Sequence, residues 1–460
     1  MTDAEPEPAA PVRARPAPRT NLAGLWLKTP AAKVGMILGL LLIMQVPLMM
    51  VGGLIQEREQ RQSAVLAGFR RGWGPEQSIV GPMLVVPYSW AMSGSPGERL
   101  HGWARLPASR LNVVATLQPE ERRRGLFHAI VYTASVELAG AITVPPLAIS
   151  DPPDAAIDWN RARVVLGASD LRGMPPDATI DWGGRAVQLQ ASSIEGGCGL
   201  ALLDAPAGSQ AAPGATIPFR ATLTLRGTQA FRMVQAGRQI DMRIASSWPT
   251  PSFTGATLPL RYDLHPDGFN AHWEMAGGPS NSNWQLVPNN AAAVNSMWMD
   301  TDAQVGVELQ EAVPTYLMVD RAAKYSVFFL ALSYLTLFLF EALSGVRIHL
   351  VQYGMVGLSL SLFALLLISI AEPLGFTISY AISAAAIMAQ ASLYTLSVVG
   401  RRLLAAVFAG VLGTLFAFLY VVLSLDAYAL LVGTIGLFAV LSVVMVATRR
   451  VNWAAAPIAS

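Results

Sequence analysis

Five histidines, one cysteine and a few charge-dense stretches are the residues of this chain that could do chemistry. The histidines are His101, His128, His265, His272 and His349, and the cysteine is Cys198. His265 and His272 stand seven apart, a spacing that neither one helix face nor a zinc pattern requires, so a solvated or capping role is expected and no metal site. A lone cysteine excludes an intrachain disulfide and a multi-cysteine metal centre. The chain has no Gly-Lys-Ser/Thr phosphate loop, no Ser-x-x-Lys pair, no Gly-x-Ser-x-Gly elbow and no His-Glu-x-x-His. No catalytic residue, cofactor or metal is therefore assigned, and the chain is expected not to be an enzyme.

Three stretches are more particular. Pro119 to Phe127 carries Glu120-Glu121-Arg122-Arg123-Arg124 at the mouth of a strand that continues into Val131-Tyr132. Asp320-Arg321-Ala322-Ala323-Lys324-Tyr325 has the basic and aromatic groups of an interfacial anchor. The third joins Ser246-Ser247-Trp248-Pro249-Thr250-Pro251-Ser252-Phe253 to Gly268-Phe269-Asn270-Ala271-His272-Trp273. Aromatic side chains on stiff turns desolvate at little entropic cost, which makes Trp248, Pro249, Phe253, Phe269 and Trp273 the candidate contact surface for a partner. The competing expectation is that the same residues are core. Glu341 lies close enough to Arg347 to form an interfacial pair.

The elements that must hold these residues are of two kinds. Tyr325 to Ala342, Val351 to Ile370, Phe376 to Val399, Leu403 to Leu423 and Tyr428 to Val446 are runs of predominantly apolar sequence. At about 1.5 Å per residue each can cross a hydrocarbon core of about 30 Å. A sixth, Val34 to Ile55, follows a Pro/Ala-rich tail with Arg13, Arg15, Arg19, Lys28 and Lys33; it is too long for a signal-peptide core, and Pro47 should kink it. The breaks between the later spans are short, so the spans form a compact antiparallel bundle. Arg347, Arg401 with Arg402, and Arg449 with Arg450 fall on one side, Glu372 and Asp426 on the other. The positive-inside rule puts both termini in the cytoplasm. Gly354, Gly357, Gly410 and Gly413 suit close helix packing, and Gln390 suits a hydrogen bond across helices.

Between the first and second spans the period changes to two. Phe219 to Leu225, Val187 to Gln190 and Met242 to Ile244 alternate, whereas Met83 to Val86 and Val164 to Leu166 are continuous apolar runs suited to strands buried on both faces. Gly81-Pro82, Pro152-Pro153, Gly183-Gly184, Gly196-Gly197 and Pro213-Gly214 punctuate them. Before them, Ala64 to Arg71 continues the first span as a helix. The expectation is a polytopic α-helical membrane protein of six transmembrane helices, with a large β-rich periplasmic domain inserted between helices 1 and 2. That domain is expected to be sandwich-like, as one body or as two lobes meeting near Gly196 to Gly214. In order, 1–33 is a disordered cytoplasmic tail, 34–55 the first span, 56–324 the β-rich domain, 325–342, 351–370, 376–399, 403–423 and 428–446 the later spans, and 447–460 a cytoplasmic tail. With 460 residues, 53% hydrophobic, 13% charged and a net charge of +2, the chain has a lipid bilayer for a partner and no basic bank for nucleic acid. Nothing in it sets an oligomeric state.

The chain also resembles the CreD family, inner-membrane proteins of Gram-negative bacteria described as cell-envelope integrity proteins. The likeness rests on Val80-Gly81-Pro82 with Pro87, Glu121-Arg122-Arg123 with Gly125, Asp170-Leu171-Arg172-Gly173, Ser247-Trp248-Pro249 with Ser252-Phe253, and Gly268-Phe269 with Ala271-His272-Trp273. It continues through Asp320-Arg321-Ala322 with Lys324-Tyr325, Phe340-Glu341, Gln352-Tyr353, Val356-Gly357-Leu358 and Gly375-Phe376, and reaches Trp453. The resemblance implies a multi-pass inner-membrane protein linked to a two-component regulatory system and to β-lactam and colicin responses. It implies no reaction and supplies no catalytic residues. Two functions follow as expectations: a non-enzymatic envelope protein acting through contacts with other, unknown envelope components, or an enzyme or transporter acting on an envelope lipid or glycan.

Overall fold

The structure is a computed structural model and describes residues 30–91, 98–145, 154–192, 200–255, 257–276, 285–288, 304–309, 315–344, 346–425 and 429–449. Most of both tails, Cys198, Asp426, Arg450 and the turns at Pro152-Pro153 and Gly196-Gly197 lie outside them. The chain divides into two compact units, Met1–Glu57 with Thr315–Ser460, and Arg58–Pro314.

The first unit is helical. Among the described residues five helices are long and apolar enough to cross a membrane, and a shorter apolar stretch, Leu431–Val446, lies within a further helix, Ala429–Thr448. The first span is split: one helix covers Pro30–Ile43, the next begins at Gln45 and runs to Gly72, and Met44 between them is a turn. Pro47 has no N–H for the Ile43 carbonyl and its ring crowds that same carbonyl, so the expected kink becomes a break one turn earlier. Thr315–Ser344 begins ten residues before the apolar run does, because Asp320 and Lys324 pair across one helical turn at 2.5 Å and let the polar stretch stay helical. Leu350–Leu374, Phe376–Val399 and Arg402–Ser424 follow, each packed on its predecessor. His349 and Gln352 form a reciprocal cap at the start of the Leu350–Leu374 helix.

Gln390 takes the role expected of a lone amide, its Oε1 accepting from the Ser359 hydroxyl at 3.0 Å. Of the four glycines expected at close contacts, only Gly357 is one. A side chain at Gly354 would meet nothing nearer than 3.9 Å, at Gly413 nothing nearer than 3.5 Å, and at Gly410 nothing within 4 Å.

The second unit is a sandwich of two sheets. One has ten strands and runs from Pro251–Gly255 through Gln304–Leu309, Ala230–Val234, Gln77–Ala91, Arg163–Ala168 and Ala201–Pro206 to Gln190–Ala191, with Arg99–Pro107, Gln285–Pro288 and Ala156–Ile157 attached beside that path. The other has eight strands, in the order Arg261–His265, Gly268–Ala276, Gln239–Ser246, Arg110–Arg124, Phe127–Thr143, Thr216–Thr228, Thr179–Trp182 and Arg185–Gln188. One continuous core fills the space between them, with Leu84, Val164 and Leu166 facing Val113, Val136, Leu138 and Leu223. The one shared core fits the single sandwich and not the two-lobe alternative; Ala201–Pro206, within the Gly196 to Gly214 stretch, is an ordinary strand of the larger sheet.

Period-two alternation explains the eight-stranded sheet. Phe219, Ala221, Leu223 and Leu225 point inward and the residues between them face outward. The continuous runs belong to the ten-stranded sheet, whose second face is covered by a separate cluster of Val80, Met83, Val85, Val165, Leu202 and Val234. Gln77–Ala91 is its centre, pairing with Ala230–Val234 in parallel and with Arg99–Pro107, Ala156–Ile157 and Arg163–Ala168 antiparallel.

Candidate functional site

Each unit gathers its polar side chains in a few places. In the helical unit Lys33 donates to the Glu341 carboxylate and to the Ile348 carbonyl at 2.9 Å, and its ammonium stands 6.0 Å from the Tyr353 ring centre. Glu341 therefore pairs with Lys33 of the first helix and not with Arg347, as the local sequence had suggested. Tyr353 packs edge-on against Tyr334 at 5.8 Å, and the Tyr334 hydroxyl lies over Gly357. The pair closes the bundle by joining residues far apart in the chain. Removing one partner leaves a half-buried charge alone, whereas removing both does not. Glu341→Gln is accordingly expected to cost about 1–3 kcal/mol in thermal unfolding of the purified protein, and Lys33→Met in the same chain to recover part of it. An unchanged melt for Glu341→Gln alone would remove the pair from any structural role.

In the β unit the helix that ends at Gly72 is clamped by arginines. Trp73 donates from Nε1 to the Tyr132 carbonyl at 3.1 Å, and the guanidinium groups of Arg122, at 3.9 Å, and Arg226, at 4.7 Å, stack on its ring. The tight turn at Gly125-Leu126, with Gly125 at φ +63°, folds the charged hairpin back so that Arg122 reaches Trp73 and Arg124 lies 5.9 Å from the Phe69 ring. Arg172 grips Asp170 through Nε and Nη2 and donates its remaining arm to the Arg71 carbonyl. Those hydrogen bonds hold the Asp170 carboxyl below its ordinary range, against the weaker upward pull of burial. Gln77, fully buried, ties the parts together by donating to the Asp170 and Arg226 carbonyls at 3.1 and 2.7 Å. Arg232 bridges Glu76 and Glu308; burial works against its charge, but the two carboxylates prevail and raise its pKa. The charges of this collar are matched by protein groups and ring faces, so its role is to hold structure in place.

The open site lies on the outer face of the eight-stranded sheet. Alternation sends Ile240, Met242 and Ile244 inward with Phe269, Ala271, Trp273 and Met275, and leaves Asp241, Arg243, Asn270, His272 and Glu274 on the other face. The pairing sets Asp241 opposite Glu274 and Arg243 opposite His272, while Arg261 flanks His272 from the edge strand. His272 Nε2 stands 3.2 Å from Asp241 Oδ2 and 3.8 Å from Glu274 Oε1. Arg243 Nε reaches the other Asp241 oxygen at 3.5 Å. Beside them is a groove of about 250 Å³ lined by Arg243, Arg261, Asp263, Asn270 and His272.

The family model for Inner membrane protein CreD matches residues 29–454. The chain belongs to the CreD family. It is 28% identical to Inner membrane protein CreD of Escherichia coli strain K12 over 438 residues, 93% of this chain and 94% of that one. Among solved structures an M1 zinc metallopeptidase of Deinococcus radiodurans aligns over 76% of this chain and 96% of its own at 12% identity, with a TM-score of 0.24 that carries no argument about fold or activity. CreD membership and the several candidate spans together make this a multi-pass inner-membrane protein.

Ten of the residues that carry the CreD likeness fall into the places just described. Arg122, Asp170, Arg172 and Gly173 build or border the Trp73 collar, Glu341, Tyr353 and Gly357 build the knot around Lys33, and Phe269, His272 and Trp273 lie on the strand that bears the open face. The aromatic contact surface expected from sequence does not hold as a set. Trp273 and Phe269 are core, at 0% and 2% exposure, because the period-two pattern of Gly268–Ala276 turns them inward. Trp248 and Phe253 are half-buried against the same core, and Pro249 alone is exposed. His272 has as neighbours Asp241 and Glu274, not His265, which is exposed at the end of its strand. Local spacing could not show those neighbours, since strand pairing brings them together; the alternating pattern from Phe269 to Met275 was the available signal.

Proposed function

We propose that this CreD-family chain crosses the inner membrane six times with both termini in the cytoplasm, and that its β unit works in the periplasm, supporting envelope integrity by binding other envelope components. The observation that carries the reading is the place of the β unit in the chain. It is compact by itself and is inserted after the first of a series of apolar helices whose connections alternate between arginine-bearing and acidic. Arg347, Arg401 and Arg402 share one side by alternation, and the β unit and Glu372 share the other.

Single-cysteine labelling in a chain with Cys198 replaced tests the topology. A probe at Glu372 is expected to react from outside, and one at Arg402 only after permeabilisation. Exterior labelling at Arg402 would overturn the six-span arrangement.

The groove beside His272 favours a second reading, an enzyme or transporter acting on an envelope lipid or glycan, since a concave site with converging titratable groups is what such an activity needs. Arg261→Ala and Asp263→Asn separate the two. Normal protein levels with lost complementation of a deletion strain would locate the work in the groove, and full complementation would leave it to binding elsewhere.

A further inference from the structure

We propose that His272, Asp241 and Glu274 bind a divalent transition-metal ion, with Zn²⁺ the best match to the ligand types. This stands apart from the readings above and holds whether the β unit binds or catalyses.

Asp241 and Glu274 are direct cross-strand partners on one face, and like charges so placed repel. Arg243 satisfies one oxygen of Asp241 and leaves the other turned toward His272. Among the described residues Glu274 has no cation beside it other than the His272 imidazole. One imidazole nitrogen thus faces one oxygen from each of two carboxylates, a set of three donors that a divalent ion can share.

The geometry is close to what coordination requires. Ligand atoms of the three residues all lie within 4.8 Å of one another, with edges of 3.2 and 3.8 Å at His272 Nε2. In a tetrahedral site with bonds of about 2.0–2.2 Å the edges are about 3.4 Å. The Asp241–Glu274 edge has the furthest to close, and the Glu274 side chain, 60% exposed, is free to swing. Mixed imidazole and carboxylate donors suit Zn²⁺ better than the all-oxygen ions Mg²⁺ and Ca²⁺. Three protein ligands leave a coordination position open, and the groove beside His272, with Arg243 and Arg261 on its walls, gives a water or a small anion access to it.

The test uses the full chain purified without a histidine tag, stripped by a chelator and titrated with Zn²⁺ against a chromogenic indicator. One equivalent is expected to bind saturably, and separate His272→Gln and Glu274→Gln variants to lose more than about tenfold in affinity, at least as much as removing an outer-shell partner typically costs. Because both side chains project from the outer face, the metal-free melts of the variants are expected to match the parent. Should His272→Gln unfold, Glu274→Gln still decides, its side chain being mostly in solvent. Co²⁺ in place of Zn²⁺ is expected to give visible bands that both variants lose. No saturable binding by the parent, or binding of equal strength in Glu274→Gln, would overturn the proposal.

Discussion

Trp273→Ala is expected to cost the β unit about 3–5 kcal/mol, the range for a large aromatic side chain removed from a packed core. The ring is wholly buried and meets Phe253 edge-on at 5.7 Å, and its Nε1 donates to the Thr257 carbonyl at 3.2 Å. Truncation therefore opens a cavity between the sheets and orphans an acceptor as well. Whole domains are stable by only about 5–15 kcal/mol, so a loss of this size removes much of the margin. Thermal unfolding and protease resistance of the purified chain measure it. Trp248→Ala is the comparison: half-buried and packed on the core's border, it is expected to lose less, about 1–2 kcal/mol. An unchanged melt for Trp273→Ala would mean that the two sheets do not share this core.

The second large effect is expected at Gly357. A Cβ there would overlap the Tyr334 hydroxyl oxygen and stand 3.3 Å from Met44 Cγ. Tyr334 cannot withdraw, being buried and packed edge-on against Tyr353. Even alanine must push the helices Thr315–Ser344 and Leu350–Leu374 apart, at about 1–3 kcal/mol for a methyl group forced into a filled core, and leucine at more. Tyr334→Phe removes the closest atom and is expected to restore part of the loss, although the ring carbon at 2.9 Å keeps the fit tight. A double-mutant cycle read by thermal unfolding in detergent gives the coupling. Strict additivity would count against the contact.

How much of this was legible depended on the distance over which each interaction acts. Phe376–Val399 was readable to the residue because a bilayer rejects Glu372 and Arg401 on either side of it. The start of Thr315–Ser344 was not, since its first turns carry Asp320, Arg321 and Lys324 and hydropathy sees no helix there. Alternation exposed Phe219 to Leu225 as a strand, and applied to Phe269, Ala271, Trp273 and Met275 it would have marked Trp273 as core. The Lys33–Glu341 pair and the gathering of Asp241 with His272 and Glu274 depend on packing and strand register, which no local window contains.

The place of Gln77–Ala91 at the centre of the larger sheet has a consequence for time. It is the first strand of the β unit to be made, yet Gln77 must wait for Phe231 to complete its parallel pairing. Ala230–Val234 in turn stays an open edge until Gln304–Leu309 arrives to cover it. The hairpin of Arg110–Arg124 and Phe127–Thr143 can close at once, but the larger sheet is built from contacts of high sequence separation, the kind that fold slowly. Synthesis at about 5–20 residues per second leaves those apolar strand edges unpaired for many seconds, open to wrong partners and to whatever chaperones reach them. A chain stopped short of Gln304 would keep that edge permanently.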